Sequence, residues 1–139
     1  MFMFQTEEQR MTQLVQNVSK SHEVSGEELQ FLLSCRAKGK VDFLLIDIRE
    51  MIEYSAQSIK GTDLLLPTST IQTTMDALAK CKSHLVILYC YSSSRTFQMV
   101  HILKRMGFMK IAHLDGGIVE YRGEKLKNAP LPKNITCKE

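Results

Sequence analysis

The chain of 139 residues has no tryptophan, three prolines and an aromatic share of 7%. Its few aromatics do not alternate with basic residues, so no stacking platform for single-stranded nucleic acid is indicated. No stretch approaches the roughly 20 apolar residues of a membrane helix. The opening Met1-Phe2-Met3-Phe4-Gln5-Thr6-Glu7-Glu8 lacks the basic region and apolar run of a signal peptide. Four cysteines are present, Cys35, Cys81, Cys90 and Cys137. They form no C-x-x-C pair and no common zinc spacing, so neither a metal nor another cofactor is expected. Together these features predict free thiols in a reducing cytoplasm, where a cysteine is judged by its reactivity.

Charge is equally unassertive, with 18 basic and 15 acidic residues and a net of +3. Lys38, Lys40, Lys104, Arg105, Lys110, Lys125 and Lys127 are scattered rather than massed. They read as a solvated exterior, with neither nucleic acid nor membrane as a partner. A hydrophobic share of 44% and a charged share of 24% suit one globular domain with a core of its own.

What is present is an alternation of helical and strand signals. Met11, Leu14, Val15 and Val18 fall at helical spacing, predicting an amphipathic helix from about Gln5 to Lys20. Residues 1–20 thus read as a helical extension, 21–132 as the main domain and 133–139 as a tail. Ser21 to Ser25 reads as a short extended piece. Ser25 and Glu28 form a capping-box pattern before a helix with Leu29, Leu32 and Leu33 inward, ended near Gly39. Phe43 to Asp47 is a continuous apolar run suited to a strand buried on both faces. Leu64 to Leu66 is a shorter strand candidate, stopped by Pro67. Thr70 to Lys80 presents Ile71, Met75 and Leu78 on one helical face. Leu85 to Tyr89 is the clearest central strand. A helix from Arg95 to Met106 follows, offering Met99, Ile102, Leu103 and Met106 to the core, and Gly107 closes it. Lys110 to Leu114 is another strand candidate, with a short helix from Ile118 to Tyr121 and loop from Asn128. The alternation implies an α/β fold of parallel βαβ units.

In such sheets, sites gather beyond the carboxyl ends of the strands. Three polar clusters fall there: Asp47-Ile48-Arg49-Glu50, Cys90 through Arg95, and Asp115-Gly116-Gly117. A short strand-to-helix loop can aim successive N–H groups, and the positive end of the next helix, at one point. Cys90 at the mouth of such a loop is favoured as thiolate, and Arg95 adds positive charge. Local chemistry therefore leaves a nucleophilic cysteine and an anion cup both open. A buried small hydrophobe with serine caps is an equally ordinary reading. His22, His84, His101 and His113 show no ligand-like spacing and read as structural or exposed.

From Val24 to Leu131 the chain resembles a rhodanese-homology domain. Four elements, in the family's order, carry the resemblance. They are Leu45-Ile46-Asp47-Ile48-Arg49-Glu50; Tyr54 with Ile59 and Gly61; Val86-Ile87-Leu88-Tyr89-Cys90 followed by Arg95-Thr96; and Leu114-Asp115-Gly116-Gly117 with Tyr121. The resemblance implies a rhodanese-like central parallel sheet of about five strands with helices on both faces. It also implies a sulfurtransferase, of the thiosulfate:cyanide type or related. Cys90 would take sulfur from thiosulfate or a persulfide and pass it to a thiol, cyanide or an acceptor protein. Tyr91, Ser92, Ser93, Ser94, Arg95 and Thr96 would form the substrate loop, with Arg95 orienting an anionic donor. Asp47, Arg49 and Glu50 would brace the loop's surroundings, and Gly116 and Gly117 would supply backbone geometry beside it.

Cys90 to Arg95 spans six residues, the length the family's sulfurtransferases use; its phosphatases and arsenate reductases have a loop one residue longer. Three positions depart from the pattern. Ser93 stands where the family often has glycine, Ser58 where it has histidine, and Tyr121 where it has tryptophan. These departures keep a second reading open, a non-catalytic binding or regulatory module. A phosphatase or arsenate reductase is the third.

Overall fold

The structure, a computed structural model, describes residues 5–70, 75–132 and 137. Its centre is a sheet of five parallel strands in the order β1-β6-β5-β2-β4. These are β1 (Glu23–Val24), β2 (Leu44–Asp47), β4 (Leu64–Leu65), β5 (Leu85–Tyr89) and β6 (Lys110–Leu114). A separate antiparallel pair joins β3 (Ser58–Ile59) to β7 (Lys125–Leu126). The parallel sheet expected from the apolar runs is present, with helices on both faces.

Both faces of the sheet are buried, and alternation along the strands divides the core in two. Leu45, Ile87, Tyr89, Ala112 and Leu114 point to one side, where they meet α1 (Glu7–Ser21) and α2 (Gly26–Ala37). Leu44, Ile46, Val86, Leu88 and Ile111 point to the other, against α4 (Ser94–Arg105) and a 3-10 helix over Met75–Cys81. Two shorter helices, α3 (Met51–Ala56) and α5 (Gly117–Glu120), follow the carboxyl ends of β2 and β6.

Helix α1 starts at a complete capping box, in which Thr6 and Gln9 satisfy each other's backbone N–H. Leu14 and Val18 enter the same core as α2, and each such burial stabilises by about 2 kcal/mol. Ion pairs from Lys38 and Lys40 to Glu7 tie its first turn to the end of α2. The extension therefore lies on its own domain.

Several expectations need correction. Ile102 and Met106 are exposed, because the buried stripe of α4 runs through Thr96, Met99, Val100 and Leu103. Leu33 is only partly buried at the edge of its core. Of the helix expected over Thr70 to Lys80, the described part from Met75 is a 3-10 helix, Met75–Cys81, in which Leu78 is buried. Residues 71–74, Ile71 among them, lie outside the described residues, as do 1–4 and 133–136. Free thiols throughout were expected, yet Cys81 and Cys137 form a disulfide. The fold brings these distant positions together, and sequence spacing carries no sign of that. Cys35 and Cys90 are free and buried. Among the described residues, no helix is long and apolar enough to cross a membrane.

Candidate active site

Cys90 follows the last residue of β5 directly, and four residues later α4 begins. The intervening chain doubles back so that the Ser93 N–H donates to Cys90 Sγ at 3.2 Å. That turn needs Ser93 in the left-handed region, at φ 86° and ψ −8°. The glycine expected at this position by resemblance is thus replaced by a serine that accepts the conformation at a cost. The first turn of α4 adds the positive end of a helix of 12 residues beside the sulfur.

The outside of the loop is fixed by the turn after β6. Ile118 N–H donates to the Cys90 carbonyl at 2.9 Å, and Val119 N–H to the Tyr91 carbonyl at 3.1 Å. Gly116 and Gly117, both at positive φ, shape that turn. A Cβ on Gly117 would overlap the Tyr91 carbonyl, so this glycine allows the two loops to touch. With the Cys90 and Tyr91 carbonyls engaged outward, the Ser93 amide is left facing the sulfur.

The other expected residues sort into two groups. Asp47 and Arg49 form a buried bidentate pair, with Arg49 Nη2 to Asp47 Oδ2 at 2.8 Å and Arg49 Nε to Asp47 Oδ1 at 3.0 Å. Arg49 also donates to the Gln57 carbonyl at 2.6 Å, linking the end of β2 to the end of α3. Burial pushes the Asp47 carboxyl up, against the pull of Arg49. Glu50 accepts the Ser69 hydroxyl at 2.8 Å. None of these three is hydrogen-bonded to Cys90.

Arg95 lies in the first turn of α4, and its guanidinium donates to both oxygens of Glu53, at 3.1 and 3.0 Å. Glu53 is held below the usual carboxylate range, chiefly by that hydrogen bonding. No spacing in the sequence marks Glu53 as a partner of Arg95. Its place on α3 is fixed only by folding.

His113, which its spacing marks as structural or exposed, also joins the site. Thr96 Oγ1 lies 3.6 Å from Cys90 Sγ and 3.2 Å from His113 Nδ1. His113 comes from β6, where it pairs with Leu88 of β5, and so faces the same side as Cys90. A lone polar residue in an apolar strand was its one visible signal. Tyr89, by contrast, points to the opposite core, where its hydroxyl accepts the Ile59 N–H at 3.2 Å. Burial pushes its phenol far up. A cleft of about 470 Å3 between α2 and Gly123 is lined by none of the loop residues Cys90 to Thr96, so chemistry rather than volume locates the site. No group of three or more potential metal ligands occurs among the described residues.

Comparison with known proteins bears on the family of the chain. A family model for the rhodanese-like domain matches residues 29–124. A protein named sulfurtransferase from Allochromatium vinosum is 34% identical over 89 residues, spanning 64% of this chain and 80% of that protein. A tRNA uridine(34) hydroxylase from Hamiltonella defensa is 32% identical over 95 residues, spanning 65% of this chain but 26% of the hydroxylase. A thiosulfate sulfurtransferase from Pseudomonas aeruginosa superposes with a TM-score of 0.67 at 20% identity, over 88% of this chain and 23% of that one. That last likeness speaks to the fold alone. The matched segment runs from α2 through the cysteine loop to the glycine turn that braces it, and the chain belongs to the rhodanese-like domain family.

Proposed function

We propose that the protein is a sulfurtransferase that carries sulfane sulfur as a persulfide on Cys90. The observation that carries this reading is the Ser93 N–H aimed at Cys90 Sγ in a six-residue loop that opens α4. The Cys90 thiolate attacks the outer sulfur of thiosulfate. A bond forms between the two sulfurs, the donor's S–S bond breaks, and its electron pair leaves with sulfite. The product is Cys90–S–S⁻. Cyanide or a thiolate then attacks the outer sulfur, and the pair of the Cys90 S–S bond returns to Cys90. Electrons and charge balance without any further reactant. Backbone donors fixed before the reaction stabilise both the thiolate and the persulfide anion.

The polar surroundings favour a persulfide donor over thiosulfate. Arg95 is already neutralised by Glu53, and Arg49 by Asp47, so neither cation is free to meet a dianion. The exposed side chains of Met51, Ile52, Tyr91, Phe97 and Val119 follow the carboxyl ends of β2, β5 and β6, the end of the sheet that carries Cys90. Such a rim suits a protein acceptor better than a small anion. A cytoplasmic setting belongs to the same proposal.

The test is direct. Incubation with thiosulfate, or with a low-molecular-weight persulfide, should add the mass of one sulfur to Cys90, and cyanide should remove it as thiocyanate. Absence of the adduct with both donors would sink the reading. One observation favours the alternative of a non-catalytic module, namely that Cys90 is fully buried. Under that alternative, iodoacetamide modifies Cys90 no faster than a free thiol at neutral pH.

A further inference from the structure

Behind Cys90, polar groups continue in a line away from the loop. Cys90 Sγ meets Thr96 Oγ1 at 3.6 Å, and Thr96 Oγ1 meets His113 Nδ1 at 3.2 Å. On the far side of the imidazole, His113 Nε2 faces Glu23 Oε1 at 3.6 Å. Cys90 and Thr96 are fully buried, and His113 is 3% exposed, whereas the Glu23 side chain is 54% exposed. The four groups come from three neighbouring segments, β1, β6 and the loop with the first turn of α4. They run from the reacting sulfur to the surface.

We infer that His113 is the base that receives the Cys90 proton, through the Thr96 hydroxyl, with Glu23 facing the imidazolium that results. This rests on the sulfur-transfer reading and identifies the group that prepares its nucleophile. In the resting arrangement the Cys90 S–H points at Thr96 Oγ1, and the Thr96 O–H points at bare Nδ1. Activation moves two protons in one direction. The S–H bond breaks as a new O–H bond forms on Thr96, and the old Thr96 O–H bond breaks as an N–H bond forms on His113. The thiolate then accepts from both Ser93 N–H and Thr96 O–H, while Nδ1–H donates to Thr96 Oγ1. Charge is separated, not created, and the proton stays in the protein until sulfur is transferred.

Three features support the direction of travel. Glu23 beside Nε2 favours the tautomer with its proton on that nitrogen, leaving Nδ1 bare. Burial lowers the proton affinity of His113, so the ring is neutral and able to accept near neutral pH. The Glu23 and Asp115 carboxylates pull the other way and stabilise the imidazolium, while His101 on α4 opposes it. One competitor is present, because Thr96 Oγ1 also lies 3.1 Å from the Ser93 carbonyl and can rest its hydrogen there. A cleft of about 90 Å3 that includes Glu23, Phe97, His101 and His113 opens beside the ring. It lets His113 exchange its proton with solvent.

His113 acts through Thr96 and is therefore a positioning residue, so its test must read more than lost activity. The experiment measures the rate of Cys90 alkylation by iodoacetamide from pH 5 to pH 10, with peptide mapping to separate Cys35. Wild type should show two rises, the first for the thiolate–imidazolium pair and the second for the thiolate beside neutral imidazole. His113→Asn and Thr96→Val should each leave only the upper rise, with the rate near pH 6 down about tenfold or more. Thr96→Ser should retain both rises. Glu23→Gln, at the exposed end, should shrink the lower rise without disturbing the fold, and so covers the case in which a buried variant does not fold. If wild type takes up sulfur but its curve coincides with those of His113→Asn and Glu23→Gln, the relay is overturned and sulfur transfer stands. If wild type takes up no sulfur from either donor, both fall together.

Discussion

Among the described residues, Ser93 has the largest positive φ of any residue other than glycine. Its φ of 86° aims its own N–H at Cys90, yet an L-residue in that region stores strain. Ser93→Gly removes the strain but adds freedom to the unfolded chain, and the two effects partly cancel. The expected net gain is roughly 0.5–1 kcal/mol, read as a higher urea midpoint with unchanged slope. Alkylation of Cys90 should persist, because the N–H donor belongs to the backbone. His113 supplies a pH dependence of stability. Burial lowers its folded-state proton affinity below the ordinary value of about 6.5, so the unfolded chain binds more protons as pH falls below that value. Stability should therefore fall as pH drops from about 6.5 towards 5, with thermal melts as the measurement. In His113→Asn that part of the slope should vanish. A slope equal to wild type would mean that other groups cause it.

Among the elements, β5 with its loop was the most legible in sequence, and α3 the least. An apolar run of five residues ending in Cys90 and serines announces a buried strand and a tight turn by itself. The requirement for positive φ at Ser93 was also readable, since the resembling pattern has glycine there. Glu53 and His113 were not readable, because their meeting with the loop depends on where α3 and β6 come to rest. Register between β5 and β6 sets Leu88 opposite His113, and no spacing in the chain encodes that pairing. Ile102 and Met106 misled for a related reason, as helical spacing is satisfied by more than one face. The ion pair between α3 and α4 makes a separate prediction. Glu53→Gln should free the Arg95 guanidinium and lower the KM for the thiosulfate dianion several-fold, more than that for a singly charged persulfide donor. The stability cost should stay below about 1 kcal/mol, since both partners are about one-third exposed and solvent screens them. An unchanged KM would mean that Arg95 never meets the donor.

At the scale of the whole molecule, the chain is closed by a bond that its composition did not advertise. The 3-10 helix ends at Cys81 inside the core beside α4, and the disulfide anchors Cys137 there, 56 residues later. That loop encloses β5, the cysteine loop, α4, β6 and the glycine turn, which carry Cys90, Thr96 and His113. In the chain-entropy account, cross-linking a loop of this length restricts the unfolded ensemble by up to about 4 kcal/mol. The site's own hydrogen bonds do not involve either sulfur, so global stability and local chemistry should separate. Cys137→Ser is the informative variant, because it leaves the buried Cys81 in place as a small apolar side chain. It should melt several degrees lower than the oxidised wild type, and a reductant should lower wild type to the same value while leaving the variant unmoved. The rate of sulfur uptake at Cys90 at 25 °C should be the same in all three. A drop in uptake that tracks reduction would instead make the tail a part of the site, and equal melting temperatures would remove the disulfide from the stability of the folded chain.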